Sequence, residues 1–377
     1  MFDLGGPGAA LFAQMGDSSL RQTLADLVGF DTQNPAGDEA GISDHLAARL
    51  GALGADEVER FAVGNHHAVL ARFGARPTLL LNAHFDTVPA NTGYSAPPHQ
   101  LVERDDRYYG LGTADTKGAI AAILEALRAE PRVGGPRQPF SVLFSGDEEK
   151  GSTVMRAFLA SGRARGFLRA IVCEPTNLQV GHRHRGISSA TAVATSPGGH
   201  SSRADSLPGP IAILARAAVA LDDLGRLRRD HGPEGFKGLC LNIAAISGGL
   251  AFNVIPARAE LTVSIRPAPG GDSLAILAEL EATARAAAAP AELVWSTGHL
   301  NPPFATRDLS AFVPLLGDPA TRPIDLGFWT EAALYAEAGI DAVVFGPGDI
   351  AQAHGADEFV AIAQLEAARD VFRGIVA

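Results

Sequence analysis

The stretch LLLNAHFDTVPA, residues 79–90, decides the reading of the fold. Its leucines open it as a buried strand would, yet His84 and Asp86 follow two residues apart before Pro89 ends the extended run. A core rarely holds an imidazole and a carboxylate unless each has a partner. Polar groups at the end of an apolar strand point instead to an open α/β sheet, in which ligands gather beyond the carboxyl ends of the strands.

The sequence around this stretch repeats the pattern. Strand-like runs occur at HHAVLARF, PFSVLFSGD and RAIVCEP, and helical runs lie between them at GAIAAILEALRAE and STVMRAFLASG. Two earlier segments, SSLRQTLADLVGF and GISDHLAARLGALG, have helical apolar spacing, the first introduced by serines suited to capping. Continuous apolar strands alternating with helices predict an α/β fold with a mixed, largely parallel sheet flanked by helices. From Ile187 the texture changes to strand, Gly-rich turn, long helix, two strands and another helix. That order predicts an inserted α+β domain over 187–291, between a first catalytic part at 1–186 and a second at 292–377.

Length agrees with this division, since 377 residues exceed the ~250–300 at which a single core stops growing. A formal charge of -11 argues against nucleic acid or an anionic membrane surface as partner and favours a small molecule. No apolar run approaches the ~20 residues needed to span a bilayer, and the N-terminus has no basic region before its apolar part. A cytoplasmic protein is expected, with Cys173 and Cys240 as two reduced, buried thiols.

The chemistry lies in the residues that follow the strands: His84 and Asp86, Asp115 in YGLGTADTKG, Asp147, Glu148 and Glu149 in FSGDEEKG, Glu174 in VCEPT, and the late His354 in GPGDIAQAHGADEF. Singly each has an ordinary reading, as a helix cap, a solvated acidic turn or a structural histidine. Together they fall at one edge of one sheet. Histidines and carboxylates with few thiols suit zinc or another borderline divalent ion. The chain can then supply His84, Asp115 and Glu174 to one ion and Asp115, Glu149 and His354 to another, so that Asp115 bridges. Asp86 is placed to take the other N–H of the His84 ring, and Glu148, beside a ligand, is the candidate general base.

With the motifs HFDTVP, YGLGTADTKG, FSGDEEKG, CEPT and the late histidine, the chain resembles the di-zinc aminoacylase superfamily, which includes acetylornithine deacetylase, succinyl-diaminopimelate desuccinylase and carboxypeptidase G. AHFDTVP, HRGISS, LGFWTEA and FGPGDIAQAHGADEFV most resemble the acetylornithine and N-acetylcitrulline deacetylase branch. The resemblance implies a zinc-exopeptidase-like fold and two divalent ions, zinc or cobalt, on the five ligands above, with Glu148 as base and Asp86 as support. It also implies that the inserted domain mediates a homodimer and closes over the site. His200 in SPGGHSS would reach the partner's site to stabilise the oxyanion, and Asn253 in FNVIP would touch substrate. Arg185 in HRHRGIS and Arg266 in SIRP would hold a substrate carboxylate, with salt bridges as their alternative.

Gly346 and Gly348 flank Pro347 in a tight loop, which either offers N–H groups to that carboxylate or is a plain turn. Glu331 in FWTEA either faces an ornithine ammonium or citrulline ureido group or caps the following helix. Lys150 and the loop NTGYSAPPHQL depart from the family pattern and leave substrate choice open.

The expected reaction is hydrolysis of an N-acetyl amino acid, N-acetyl-L-citrulline or N-acetyl-L-ornithine, in arginine biosynthesis. A dipeptidase, carboxypeptidase or desuccinylase is the alternative within the same chemistry. A dinucleotide-binding oxidoreductase would rest on GLGTADTKG, whose glycine spacing is not the dinucleotide fingerprint. The complete ligand set with Glu148 speaks against a non-catalytic amino-acid-binding protein.

Overall fold

The computed structural model describes residues 7–35, 37–129 and 138–377, with side chains from residue 18 onward. The expectation of no leader segment falls partly on residues 1–6, outside the described residues. Two helices, α1 (Pro7–Val28) and α2 (Glu39–Ala52), precede a hairpin of β1 (Glu57–Val63) and β2 (His66–Phe73). Then come β3 (Leu79–His84), α3 (Lys117–Ala129), β4 (Phe140–Ser145), α4 (Thr153–Ala160) and β5 (Arg169–Val172). The next stretch contains β6 (Ile187–Thr195), α5 (Pro210–Leu227), β7 (Asn242–Gly248), β8 (Arg258–Ile265), α6 (Ser273–Ala288) and β9 (Val294–Asn301). Finally α7 (Ala332–Glu337), β10 (Asp341–Val344) and α8 (Ile362–Val376) complete the chain.

The chain divides into two compact units, one built from the chain up to His182 with Thr306–Ile324 and Thr330–Ala377, the other from Arg183–Ala305 with Asp325–Trp329. In the first, strands run in the order β1-β2-β4-β3-β5-β10. The pairs β4/β3, β3/β5 and β5/β10 are parallel, and the hairpin and β2/β4 are antiparallel. The parallel core is the expected one. Every residue of β3 is buried. Leu79, Leu81 and Ala83 pack into one cluster with Ile120 and Ile123 of α3 and Leu365 and Phe372 of α8. Alternation along the strand turns Leu80 and Asn82 to the opposite face, also buried, which explains why the segment reads as continuously apolar.

Four details differ from the sequence reading. Ser18 and Ser19 lie inside α1 instead of capping it, and the Ser19 hydroxyl donates to Glu125 Oε2 of α3 at 2.7 Å. Strand β1 left little signal because it is an edge strand with no fully buried residue. In the second unit the sheet order is β7-β8-β6-β9, and β9 pairs with β6 beyond the expected boundary at 291. That strand is almost wholly exposed, so it carries no inward-facing apolar alternation. Cys240 is exposed in a loop at φ 46°, whereas Cys173 is buried; both are free thiols.

Candidate metal centre

Strand β3 delivers His84 to the carboxyl edge of the sheet at 2% exposure. Its Nε2 lies 3.0 Å from Asp115 Oδ1 and 3.9 Å from Glu174 Oε1. The other oxygen of Asp115, Oδ2, lies 3.5 Å from His354 Nε2, which is 3.0 Å from Glu149 Oε1. Each oxygen of Asp115 therefore faces a different histidine. Two groups result, His84, Asp115 and Glu174, and Asp115, Glu149 and His354, in each of which one donor atom per residue lies within 4.8 Å of the others.

Local structure explains how each candidate ligand arrives. Asp115 sits on the loop before α3, stitched to β3 because the Thr116 hydroxyl donates to the His84 carbonyl at 2.7 Å and accepts the His84 N–H at 3.1 Å. Glu149 stands in the turn after β4. Asp147 closes that turn from a left-handed φ of 66°, its Oδ2 accepting Thr153 N at 2.8 Å and the Thr153 hydroxyl. Glu174 follows β5 by two residues, and a Cβ on Gly346 would lie 2.7 Å from its carbonyl oxygen, so only glycine lets the two loops approach so closely.

Asp86 proves to be a junction. Its Oδ1 accepts Glu148 N at 3.2 Å, and its Oδ2 accepts Glu149 N at 3.2 Å and the Asn34 amide at 2.6 Å. The His84 Nδ1 is nearer the Asp86 backbone oxygen, at 3.1 Å, than its carboxylate, at 3.4 Å. Asp86 thus fixes the turn that carries Glu148 and Glu149 as well as the imidazole. Asn34 and Thr116 are supports that the sequence reading passed over as ordinary loop residues, and Asp147, singled out beside Glu148 and Glu149, closes the turn that carries both.

The charges do not balance within the site. Among the described residues, the ion-pair partners of Asp115, Glu149 and Glu174 are all histidines. Burial and the Asp115 charge hold the Glu174 carboxyl well above the usual range, and burial with the Glu174 charge does the same to Glu148. Burial opposes the charge on His84, but hydrogen bonds to Asp115 and Asp86 outweigh it and raise the ring well above its ordinary value. Hydrogen bonds to Asp115 and Glu149 push His354 up to about 10. Acting as ligands, both rings would give up their protons and leave three carboxylates, one shared, to be balanced by other positive charge; the donor types suit divalent ions of the zinc kind.

Residues 80–377 match the peptidase family M20/M25/M40. The chain belongs to this family. It is 36% identical over 367 residues to an N-acetyl-L-citrulline deacetylase of Xanthomonas campestris pv. campestris, covering 93% of this chain and 95% of that protein. It is 32% identical over 367 residues to an acetylornithine deacetylase of Myxococcus xanthus, covering 92% and 94%. Among solved structures, an M20 metallo-carboxypeptidase from Sulfolobus solfataricus superposes with a TM-score of 0.75 at 18% identity, over 95% of this chain and 98% of that one. A dinuclear metal-binding M20 peptidase from Bacillus subtilis gives 0.71 at 16% identity, over 96% and 98%. The M20 chain is an enzyme, a hydrolase, with a mixed α/β fold.

Other residues singled out from the M20 sequence divide between the units. In the first, the N–H groups of Gly346 and Gly348 are taken by Thr176 Oγ1 and Gln364 Oε1, at 3.1 and 2.6 Å, so these glycines shape the loop instead of offering free donors. Glu331 is 1% exposed at the N-cap of α7 and makes no side-chain capping bond. Burial raises its carboxyl to about 8, and Oε1 has no hydrogen-bond partner among the described residues. In the second unit, Arg185 gives three N–H groups to the carbonyls of Gly238, Arg266 and Lys237 at 2.9, 2.8 and 2.7 Å. It ties the loop Arg228–Gly238 to the sheet where the sequence suggested a substrate contact, while Arg266 is exposed.

His200 and Val254 pair in a two-stranded ribbon, and the Asn253 carbonyl accepts Ser201 N at 3.0 Å, so the ribbon brings exposed His200 and Asn253 together. His200 Nδ1 accepts Ser202 N at 3.2 Å, which leaves the hydrogen of the neutral ring on Nε2.

Proposed function

We propose that this M20 hydrolase is a two-metal N-acetyl amino acid deacetylase, releasing acetate and free citrulline or ornithine from N-acetyl-L-citrulline or N-acetyl-L-ornithine in arginine biosynthesis. The carrying observation is the shared Asp115 between two three-residue donor groups, with Glu148 in neither. The relatives named N-acetyl-L-citrulline deacetylase and acetylornithine deacetylase, each aligned over more than nine-tenths of the chain, support the acyl group and the amino acids.

Zinc or cobalt fits the donors, His84, Asp115 and Glu174 holding one ion and Asp115, Glu149 and His354 the other. Bound there, two such ions would polarise an acyl carbonyl and acidify a water for attack. Glu148 takes the proton of the attacking water and returns it to the departing nitrogen. Asp86 keeps Glu148 in place through the Glu148 N–H at 3.2 Å. His200, reaching the partner copy's site, donates from Nε2 to the acyl oxygen as it gains charge, a contribution of ~10²–10³ in turnover. Arg266 and Asn253 hold the substrate carboxylate and acyl group.

In this reading the chain is a homodimer through the second unit. The unpaired outer side of edge strand β7 and the exposed Leu250 and Phe252, at 89% and 101%, support that assembly. A cytoplasmic location is consistent with the absence, among the described residues, of a helix long and apolar enough to cross a membrane.

Turnover on N-acetylcitrulline, N-acetylornithine, succinyl-diaminopimelate and a dipeptide, each with zinc or cobalt, tests the reading. One of the two acetylated substrates should be cleaved fastest. Preference for the dipeptide or the succinyl compound would reject it.

A further inference from the structure

Three backbone N–H groups of the loop that carries Asp115 converge on one side chain. Gly112 N donates to Glu358 Oε2 at 2.9 Å, and Ala114 N and Asp115 N donate to Oε1 at 2.8 and 3.1 Å. Glu358 is 2% exposed and stands 243 residues beyond Asp115. Its own carbonyl accepts Gly110 N at 3.0 Å, and the strand that follows, Phe359–Ala361, pairs antiparallel with Arg107–Tyr109. Buried N–H groups outside a helix or sheet need an acceptor, and a carboxylate taking several at once is the strong form of that contact.

We propose that Glu358 is a positioning residue for the bridging carboxylate. By gathering the amides of Gly112, Ala114 and Asp115 it sets where the two Asp115 oxygens point, and so keeps both metal positions at one spacing. The proposal rests on reading Asp115 as a metal ligand. Asp115 is held from two sides, by Thr116 against the His84 backbone and by Glu358 against its own N–H. A loop released from Glu358 would shift the 3.0 Å approach of Asp115 to His84 and its 3.5 Å approach to His354 together. The segment bearing Glu358 also carries His354 four residues earlier, so it supplies a ligand to the second group and the clamp on the ligand both groups share.

Glu358→Gln keeps the volume and one acceptor oxygen but turns an NH2 donor toward a backbone N–H. Glu358→Asp keeps both acceptor oxygens one methylene short. Zinc titration of the metal-freed full chain by calorimetry, with kcat, KM and thermal melting, reads the effect. Glu358→Gln should bind zinc ~10–100-fold more weakly and lose kcat with KM little changed, and Glu358→Asp should recover part of both. A lowered melting temperature with wild-type zinc affinity and kcat would make Glu358 a packing residue and overturn the proposal.

Should both variants fail to fold, hydrogen exchange on the metal-free wild type decides. The amides of Gly112, Ala114 and Asp115 should exchange as slowly as those of α3, and exposed-loop rates would overturn the proposal. Wild-type chain that takes up no zinc overturns the metal reading and this proposal with it. Wild-type chain that takes up two equivalents, matched by Glu358→Gln in affinity, overturns this proposal alone.

Discussion

The two donor groups share Asp115 but are built from different parts of the fold. His84 and Glu174 come directly off the ends of parallel strands and are 2% and 5% exposed. Glu149 and His354 come from turns, and the His354 side chain is 51% exposed at a left-handed φ of 62°. The first group is therefore part of the core, where removing a charge leaves others unpaired in low dielectric. The second is carried on loops, and in it only the His354 side chain stands open to water, the Asp115 and Glu149 side chains being 8% and 9% exposed. Metal binding and fold stability should be coupled at the first position and separable at the second.

Glu148 belongs to neither group and gives the largest expected effect on rate with the smallest on metal content. Glu148→Gln should lower kcat by ~10²–10⁴ while the chain retains the wild-type zinc stoichiometry. Zinc analysis beside turnover checks this. Near-normal kcat would move the proton-transfer role elsewhere, and loss of zinc would make Glu148 a ligand.

The comparison is broken most directly at its buried end. His84→Ala removes the imidazole between Asp115 and Glu174 and should both empty one metal position and destabilise the metal-free chain by about 3 kcal/mol. Urea unfolding of the metal-free variant, with zinc titration of the folded protein, reads the two effects apart. Unchanged stability would mean that the buried carboxylates relax freely without their histidine.

The candidate ligands stand out in the sequence because each ends an apolar run or stands in a Gly-rich turn, and His84 after LLLNA is the plainest case. The parallel core was legible for the same reason, its strands being buried on both faces. What was not legible is what holds the ligands still. Asn34, Thr116 and Glu358 act through backbone groups or through carboxylates remote in the chain, and a contact to the backbone imposes no residue pattern on its partner. Arg185 shows the converse, since its motif suggested a substrate contact and its guanidinium instead closes a loop on three carbonyls. Strand β9 and Cys240 were misplaced because exposed edges and loops lack the apolar periodicity that marks a buried element.

At the exposed end, His354→Ala should weaken zinc binding at the second position and cost the metal-free chain less stability than His84→Ala, because the lost ring is half open to water although its partners Asp115 and Glu149 are buried. A stability loss equal to that of His84→Ala would erase the distinction between the two groups.

The smallest expected effect concerns protons. In the metal-free chain the hydrogen bonds to Asp115 and Glu149 hold His354 at about 10, so at pH 7 its ring carries a proton that it must give up to bind a metal. A group protonated in the free state and deprotonated in the bound state makes affinity rise with pH, here from neutral pH up toward about 10. Zinc uptake at pH 7 should therefore release protons, measurable by calorimetry in buffers of different ionisation enthalpy. His354→Ala should release fewer than wild type. Equal release would mean that His354 is already neutral before the metal arrives, and that the carboxylates facing it draw their compensating charge from His84 instead, which would tie the exposed position to the buried one more closely than their construction suggests.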